Sequence, residues 1–233
     1  MNVLRGFPGL VIDTEWADRV TTGPYDAYTP KQRAALAEAN PYSFLHVTRS
    51  QEDVAADQRD DIDGLLTGCA AAMQRIYDAG AYVEHEEPSL FLYRMEVGDH
   101  SQTGILGVVP VTNSDDRRIL RHESVRPGRA DLLTRHLLEV GMSSSPISLT
   151  YRTDEALDSV IASYTAAQPI LKSTSEGVHQ TVWAVAGEDA DALINAMGDR
   201  TLYVTDGHHR LAAAGKARNR VAPTPPDHPP PFR

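Results

Sequence analysis

Apolar residues at helical spacing mark the longest predicted helix, near residues 56–79. Intervals of three and four residues place them on one face of an amphipathic helix, and Gly80 is its natural end. The apolar positions are Ile62, Leu65, Leu66, Cys69, Met73, Ile76 and Tyr77. Cys69, the single cysteine, falls on this face, so we expect a buried core thiol rather than a nucleophile.

A second helix is marked by its ends. Thr29 can cap it, Pro30 suits the first helical position, and Gln32, three residues after the cap, completes a capping box. Asn40-Pro41 predicts the end of this helix, because the residue before a proline disfavours the helical conformation.

Strand patterns alternate with further helical patterns. Residues 89–112 predict a β-hairpin around the turn Gly98-Asp99-His100-Ser101. The other predicted strands are 42–48, 147–152, 179–187 and 201–205, and the other predicted helices are 129–140, 154–164, 189–197 and 209–218. This mixture predicts a mixed α/β or α+β domain rather than a regular βαβ repeat.

We expect this domain to occupy residues 1–220 as a single unit. Six prolines crowd the last eleven residues, “PTPPDHPPPFR”, and proline supplies no backbone donor for a helix or a sheet. Residues 221–233 are therefore predicted to form a disordered tail.

Charge and composition narrow the class of function. The 233 residues include 22 Lys and Arg against 32 Asp and Glu, a formal net charge of -10. Since nonspecific nucleic-acid binding depends on basic residues that neutralise phosphates, this balance disfavours a nucleic-acid partner. No apolar run approaches the ~20 residues that span a bilayer, and the amino terminus lacks the features of a signal peptide. We expect a cytoplasmic protein without a membrane partner, and the sequence leaves its oligomeric state open.

The stretch “YVTDGHHRLAAAG”, residues 203–215, gathers polar and special residues between a predicted strand and a predicted helix. Gly207 permits a tight turn there. The N–H groups of His208, His209 and Arg210 would then lie in the first helical turn, which is a ready site for an anion. The arginine and histidine side chains can also donate to phosphate.

Asp206 is the unusual member of this run, because a carboxylate repels phosphate. It can cap the helix, bind Mg²⁺ or orient a histidine. Two other interpretations of the run stay open. One is a solvated turn with a capping aspartate. The other is a transition-metal site built on the histidines, although adjacent helical positions point about 100° apart.

“LRHESVRPGR”, residues 120–129, is a second charged segment. Glu123 could accept the proton of a substrate hydroxyl, with His122 as its neighbour, and Arg126 could hold phosphate. The alternative is a solvated loop whose salt bridges contribute little to stability.

Four isolated residues complete the candidates. Asp26 follows Gly-Pro and is either a cap or a site residue. His136 lies on an apolar helix face, so we expect it in the core. His179 could face a cleft, whereas Trp183, on the same face of its strand, is expected in the core.

Five ordered segments resemble the bacterial and archaeal family catalogued as domain of unknown function one thousand and fifteen. “TTGPYDAYTPKQRAALAEANPYSFLHVTR” is similar to its opening Pro-Tyr-Asp and Asn-Pro-Tyr-Ser-Phe-Leu motifs. “EEPSLFLYRMEV” with “QTGILGVVPV” resembles its central hairpin, and “ILRHESVRPGRADLLTRHL” resembles its Arg-His-Glu segment. “EGVHQTVWAV” resembles its His- and Trp-containing segment, and “TLYVTDGHHRLAAA” resembles its signature segment. The resemblance spans about residues 20–215.

The chain departs from this family pattern in three places. Gly23 stands where a first proline is common, and Leu120 stands where a lysine is common before the Arg-His-Glu motif. Family members also continue well past the signature segment, whereas this chain ends 23 residues after Arg210. We therefore expect a carboxyl terminus that is truncated relative to the family.

“DGHHR” resembles, more remotely, a motif of the ParB/sulfiredoxin-like fold. Within that fold, ADP-dependent free serine kinases carry an Asp-Gly-His-Thr-Arg version that binds nucleotide phosphates. The resemblance implies a ParB/sulfiredoxin-like core with a mixed sheet, a β-hairpin and flanking helices. It also implies a protein that handles nucleotides or phosphates.

These observations predict a small-molecule kinase that transfers a phosphoryl group from ATP or ADP, with Mg²⁺, to a hydroxyl-bearing metabolite. Glu123 is the predicted base, His122 and Asp206 are further catalytic residues, and Asp206 is the predicted metal ligand. The predicted phosphate-binding residues are Arg126, Gly207, His208, His209 and Arg210. The alternatives are a non-catalytic nucleotide-binding regulatory module and a metal-dependent hydrolase.

The kinase hypothesis makes one demand on the fold. The Glu123 carboxylate has to lie within about 12 Å of the segment 206–210, a span that a small substrate and ordinary closing motions can bridge.

Overall fold

The computed structural model describes residues 3–111 and 118–221. These ranges contain seven α-helices and eight β-strands in two sheets, which confirms the predicted mixed α+β class. No helix within them is both long and apolar enough to cross a membrane. From residue 222 onward, the predicted tail lies outside the described residues.

Strands and helices alternate along the chain. The strands are β1 Phe7–Ile12, β2 Tyr82–Val97, β3 His100–Leu106, β4 Ile119–Leu120, β5 Ser148–Thr150, β6 Leu171–Ser175, β7 Val178–Ala186 and β8 Leu202–Asp206. The α-helices are α1 Ala17–Val20, α2 Pro30–Ala39, α3 Ile62–Asp78, α4 Pro127–Val140, α5 Glu155–Thr165, α6 Gly187–Met197 and α7 His208–Arg220. Short 3-10 turns lie at Tyr25–Ala27, Phe44–His46, Gln51–Asp53 and Ala56–Gln58.

The larger sheet is antiparallel and is built around β2, which is 16 residues long. Its strand order is β1-β2-β7-β6, and β3 also pairs with β2. β1 pairs with the first half of β2, and β3 pairs with residues 91–97. The predicted hairpin is confirmed, since Val97 lies opposite His100 and leaves Gly98 and Asp99 as a two-residue turn.

The two faces of β2 pack against different partners. Leu90 and Leu92, both 0% exposed, belong to a core that also includes residues of α5, α6 and the smaller sheet. Phe91 points to the opposite face, because side chains alternate along a strand, and packs with Leu171 and Val182. Burying a side chain of this size contributes roughly 1.5–3 kcal/mol, so burial on both faces fixes the register of β2.

The smaller sheet, with strand order β4-β8-β5, positions the candidate site. β4 runs parallel to β8, with Ile119 opposite Leu202 and Leu120 opposite Tyr203. β4 leads through a short loop into α4, and β8 leads through Gly207 into α7. Because parallel strands end at the same edge of a sheet, α4 and α7 both begin at that edge.

α4 and α7 pack against each other as they leave this edge of the sheet. The hydroxyl of Thr134, 0% exposed, donates to the Ala130 carbonyl of its own helix at 2.7 Å and lies 3.4 Å from the carbonyl oxygen of Ala213. Lys216 forms an ion pair with Asp131 at 2.7 Å. The helix pair is therefore held from its first turns onward.

One predicted strand is wrong. Residues 42–48 do not form a strand, and Phe44–His46 form a 3-10 turn in which the Ser43 hydroxyl accepts the N–H of Leu45. Leu45 and Val47 are buried all the same, because a compact turn can bury a short apolar run as well as a strand can.

Other boundaries differ from the sequence predictions. α3 begins at Ile62 rather than near residue 56, because the Asp61 side chain caps it by accepting the N–H of Gly64. The strands β1, β4 and β6 and the short helix α1 had no counterpart among the predicted elements.

Candidate functional site

The corner between β8 and α7 has the backbone geometry that the sequence predicts. Gly207 has a φ of +93°, and a Cβ there would meet the Arg210 guanidinium at 3.0 Å, so the turn requires glycine. The first helical bond runs from the N–H of Leu211 to the carbonyl of Gly207. The N–H groups of His208 and His209, like that of Arg210, therefore precede the helical ladder. No acceptor among the described residues binds them.

Arg210 and Asp206 pair with each other. The Arg210 Nη2 donates to Asp206 Oδ2 at 2.5 Å and to the Pro146 carbonyl at 3.1 Å. Burial by itself would raise the pKa of Asp206, but the hydrogen bond and charge of Arg210 outweigh it and hold that pKa below its usual value. The arginine predicted to hold phosphate is thus engaged by the protein, as is the aspartate predicted to bind metal.

Glu123 reaches the start of α7. Its Oε2 lies 3.5 Å from Nδ1 of His208, whose side chain is only 3% exposed. The His122 ring stands edge-on to the His208 ring at 4.5 Å, and His122 Nε2 lies 3.8 Å from Glu123 Oε1. The predicted proximity of Glu123 to the segment 206–210 is confirmed, whereas the catalytic roles stay predictions.

His208 is also incompletely satisfied. Its Nε2 is buried and has no hydrogen-bond partner within the described ranges. A buried polar atom without a partner is unfavourable and often marks a functional position. His208 was predicted from the sequence to bind phosphate, but in the structure its ring contacts both His122 and Glu123.

His209 joins the two helices. The backbone N–H of Arg126, the residue before α4, donates to Nε2 of His209 at 3.1 Å. Burial, followed by the charges of Arg129 and Arg126, lowers the pKa of His209 below its usual value. The bond and the electrostatic environment both favour a neutral imidazole.

The meeting point of the two helices is electropositive. Each helix end contributes a partial positive charge of about half a unit. Arg126 and Arg129 are exposed, and neither has a carboxylate partner among the residues that the structure describes. Arg126 was predicted as a phosphate ligand, whereas Arg129 was not. The charge of Arg129 reaches His209 only because α4 and α7 converge, which the sequence alone does not show.

The described part of the chain contains no preformed cluster of metal ligands. Among residues 3–111 and 118–221, no group of three or more His, Cys, Asp or Glu side chains is arranged to hold a metal ion. Metal binding by Asp206 stays a prediction, and Oδ2 of its carboxylate is already paired with Arg210.

Three of the isolated candidates are His136, Trp183 and His179, and each lies in contacts outside the β8–α7 corner. His136 is buried, with its ring nitrogens 2.9 Å and 3.2 Å from the carbonyl oxygens of Val47 and Met142, which confirms a core histidine. Trp183 is buried, as expected. His179 is exposed and bonds the Thr174 hydroxyl at 2.9 Å on the neighbouring strand.

A family model described as “Protein of unknown function (DUF1015)” matches residues 4–232. The chain belongs to this family. Comparisons with curated proteins and with solved structures found no match. The more remote resemblance to the ParB/sulfiredoxin-like fold stays a prediction.

The family match also includes a second charged cluster, which sequence reasoning missed. Arg33, whose side chain is 5% exposed, binds Asp53 at 2.7 Å and the Tyr28 carbonyl at 2.7 Å. Its guanidinium lies 3.8 Å from the ring centre of Tyr25, and Tyr25 in turn bonds the Asp53 carboxylate and the Ser50 hydroxyl. Burial, assisted by Asp53, raises the pKa of Tyr25 to about 12.

A cavity of about 310 Å³ lies on the larger sheet. Its walls are mostly apolar and include the rings of Phe7, Phe91 and Tyr93. Pro146 joins it to the corner, since it lines the cavity and its carbonyl accepts from Arg210.

Proposed function

We propose that this protein is a cytoplasmic nucleotide-binding phosphotransferase that acts on a small hydroxyl-bearing metabolite. The observation that carries the proposal is the contact between Glu123 and His208 at the start of α7. It brings a carboxylate to a helix end whose backbone donors have no acceptor among the described residues.

Phosphate binding is supported by position and by charge. In sheets with parallel strands, ligands commonly bind beyond the carboxyl ends of the strands. β4 and β8 end here, and the N-termini of α4 and α7 supply N–H groups and positive dipole ends. Arg126 and Arg129 add two full positive charges that can neutralise a polyphosphate.

Glu123 is the proposed base. The acceptor hydroxyl oxygen forms a bond to the terminal phosphorus, the bond from that phosphorus to its bridging oxygen breaks, and the hydroxyl proton passes to Glu123. At 57% exposure, the Glu123 side chain is accessible to a bound metabolite. Because Arg210 occupies Asp206, we propose that Mg²⁺ arrives with the ATP or ADP phosphates.

Binding and turnover test this proposal separately. Calorimetry with ATP or ADP and Mg²⁺ should detect binding, and Arg126→Ala should weaken it by about 1.5–3 kcal/mol, the range for a hydrogen bond to a charged group. Arg75→Ala, on α3, is the matched control and should leave affinity unchanged. Glu123→Gln should preserve binding and abolish transfer to a metabolite panel. Absence of binding at millimolar nucleotide would overturn the proposal.

The same Glu123–His208 contact also favours a second function. Glu123 Oε2 lies 3.5 Å from Nδ1 of the buried His208, and a site whose carboxylate is engaged by the protein in this way suits a regulatory module that binds nucleotide without turnover. Nucleotide affinity without phosphate release or transfer, unchanged by Glu123→Gln, would identify this second function.

A further inference from the structure

We propose that His209 is a positioning residue for Glu123, which as a neutral imidazole fastens the loop 121–126 to α7 and on protonation releases it. The value of this positioning for catalysis rests on the proposed phosphotransfer. The fastening itself follows from contacts within the chain and can be tested without any ligand.

The hydrogen bond between Arg126 and His209 sets the protonation state that it needs. The Arg126 N–H is the donor, so Nε2 of His209 has to supply a lone pair. A neutral imidazole does this when its proton is on Nδ1, whereas an imidazolium carries N–H on both nitrogens and accepts nothing. Protonation of His209 therefore breaks this bond.

The bond matters because the loop has few other attachments. Among the described residues, the backbone of 121–126 has one other hydrogen bond to an element, the first helical bond of α4 from the Ala130 N–H to the Arg126 carbonyl, and only the bond to His209 joins this backbone to α7. The remaining contacts of the loop with α7 come from the side chains of His122 and Glu123, which are 61% and 57% exposed. Glu123 lies three residues before Arg126, so the anchored backbone limits how far its carboxylate can move from His208.

The surroundings of His209 oppose its protonation. Burial acts first, and Arg126 and Arg129 on the α4 side place positive charge against it. His208, the neighbour on α7, adds to this effect, while Glu123 from the loop opposes it. The fastened state is therefore expected at neutral pH, with release only as the pH falls below about 6.5, the ordinary pKa of histidine.

Nuclear magnetic resonance of the full chain tests this inference. Imidazole ¹⁵N shifts should show His209 with its proton on Nδ1 at pH 7.5. As His209 titrates in acid, amide exchange at Arg126 should accelerate about fivefold to tenfold beyond the intrinsic pH effect, as the loss of one hydrogen bond implies. The two changes should share one midpoint.

Two variants separate positioning from general stability. His209→Gln places an amide oxygen near the Nε2 position, so it should keep Arg126 protected from pH 5 to 8 without any titration. His209→Ala should lose that protection at every pH while circular dichroism confirms a folded chain. If the Gln variant supports phosphotransfer, the acid limb of its pH profile should shift to lower pH.

Two results would overturn the inference. One is a His209 proton on Nε2 at neutral pH, and the other is an Arg126 amide whose protection does not follow His209. Both can occur while nucleotide binding is intact. Conversely, failure to bind nucleotide would remove the proposed function but leave the His209 measurements interpretable.

Discussion

Two charged clusters of this protein use similar residues in opposite ways. Around Arg33, the ion pair with Asp53 is almost fully buried, with side chains 5% and 6% exposed. At the β8–α7 corner, Asp206 is 74% exposed and Arg210 is 19% exposed. The first cluster joins α2 to the 3-10 turns Tyr25–Ala27 and Gln51–Asp53, whereas the second lies where two helices begin.

The difference lies in where the hydrogen-bonding capacity goes. Arg33 and Asp53 form hydrogen bonds with each other and with Tyr25, Tyr28 and Ser50. The Nη2 atom of Arg33 has only the Glu52 carboxylate, at 3.7 Å. The corner instead leaves three backbone donors without acceptors in the described ranges. We infer that the Arg33 cluster stabilises the fold and that the corner is available to a ligand.

The largest effect should follow from removing the counter-ion of Arg33. Asp53→Ala leaves a buried guanidinium with only the exposed Glu52 carboxylate at 3.7 Å, which should cost about 3–5 kcal/mol in the free energy of unfolding. Urea denaturation measures this loss, and Asp53→Asn serves if the Ala variant does not fold. Glu52→Ala is the matched control, since Glu52 is 74% exposed at 3.7 Å, and should cost less than about 1 kcal/mol. Equal costs for the two variants would contradict the structural role of Asp53.

An intermediate effect is expected from the turn before α7. Gly207→Ala forces a side chain into the left-handed region, at about 1–2 kcal/mol, and places its Cβ against the Arg210 guanidinium. Gly128→Ala in α4 is the control, because its Cβ would meet no atom within 4 Å. That variant should be neutral or slightly stabilising. Equal thermal denaturation midpoints for the two variants would argue against a conformational requirement at Gly207.

The smallest effect should come from Asp206. Asp206→Asn removes an exposed ion pair with Arg210 and should cost less than about 1 kcal/mol at pH 7. Because the folded pKa of Asp206 lies below its usual value, its contribution is present above about pH 3.9 and is lost as the pH falls through the folded pKa. Unfolding free energies measured from pH 7 down to pH 3 should therefore converge for the variant and the wild type. If Asp206→Asn lowered the free energy of unfolding at pH 7 as much as Asp53→Ala does, the two clusters would not differ in their contribution to stability.

Local signals in the sequence were sufficient for several elements. α2 was predicted from Thr29, Pro30 and Gln32, and the structure has the capping box with both of its hydrogen bonds. The β2–β3 hairpin was predicted because its turn and its alternation are encoded within one short segment. By contrast, “LKSTS” in β6 is polar at most positions, and it forms a strand because β7 pairs with it over residues 171–175.

The candidate site was predictable only in outline. The chemistry of a kinase required Glu123 near the segment 206–210, and the fold brings them together through the parallel pairing of β4 and β8. The individual partners were not predictable. The bond from Arg126 to His209 joins residues 83 positions apart, and no local pattern encodes such a contact.

β2 has one local partner and two distant ones, which suggests an order of folding. Its pairs with β3 lie 3 residues apart at Val97–His100 and 15 apart at Phe91–Leu106. Its pairs with β1 begin at a separation of 70, from Ile12 to Tyr82, and those with β7 at 83, from Glu96 to His179. Since closing a longer loop costs more entropy, and hairpins form within about 1–10 μs, we expect the β2–β3 hairpin to form first. β1 and β7 then add to an existing template, so the slow steps in forming the larger sheet are expected to be the docking of its most distant strands.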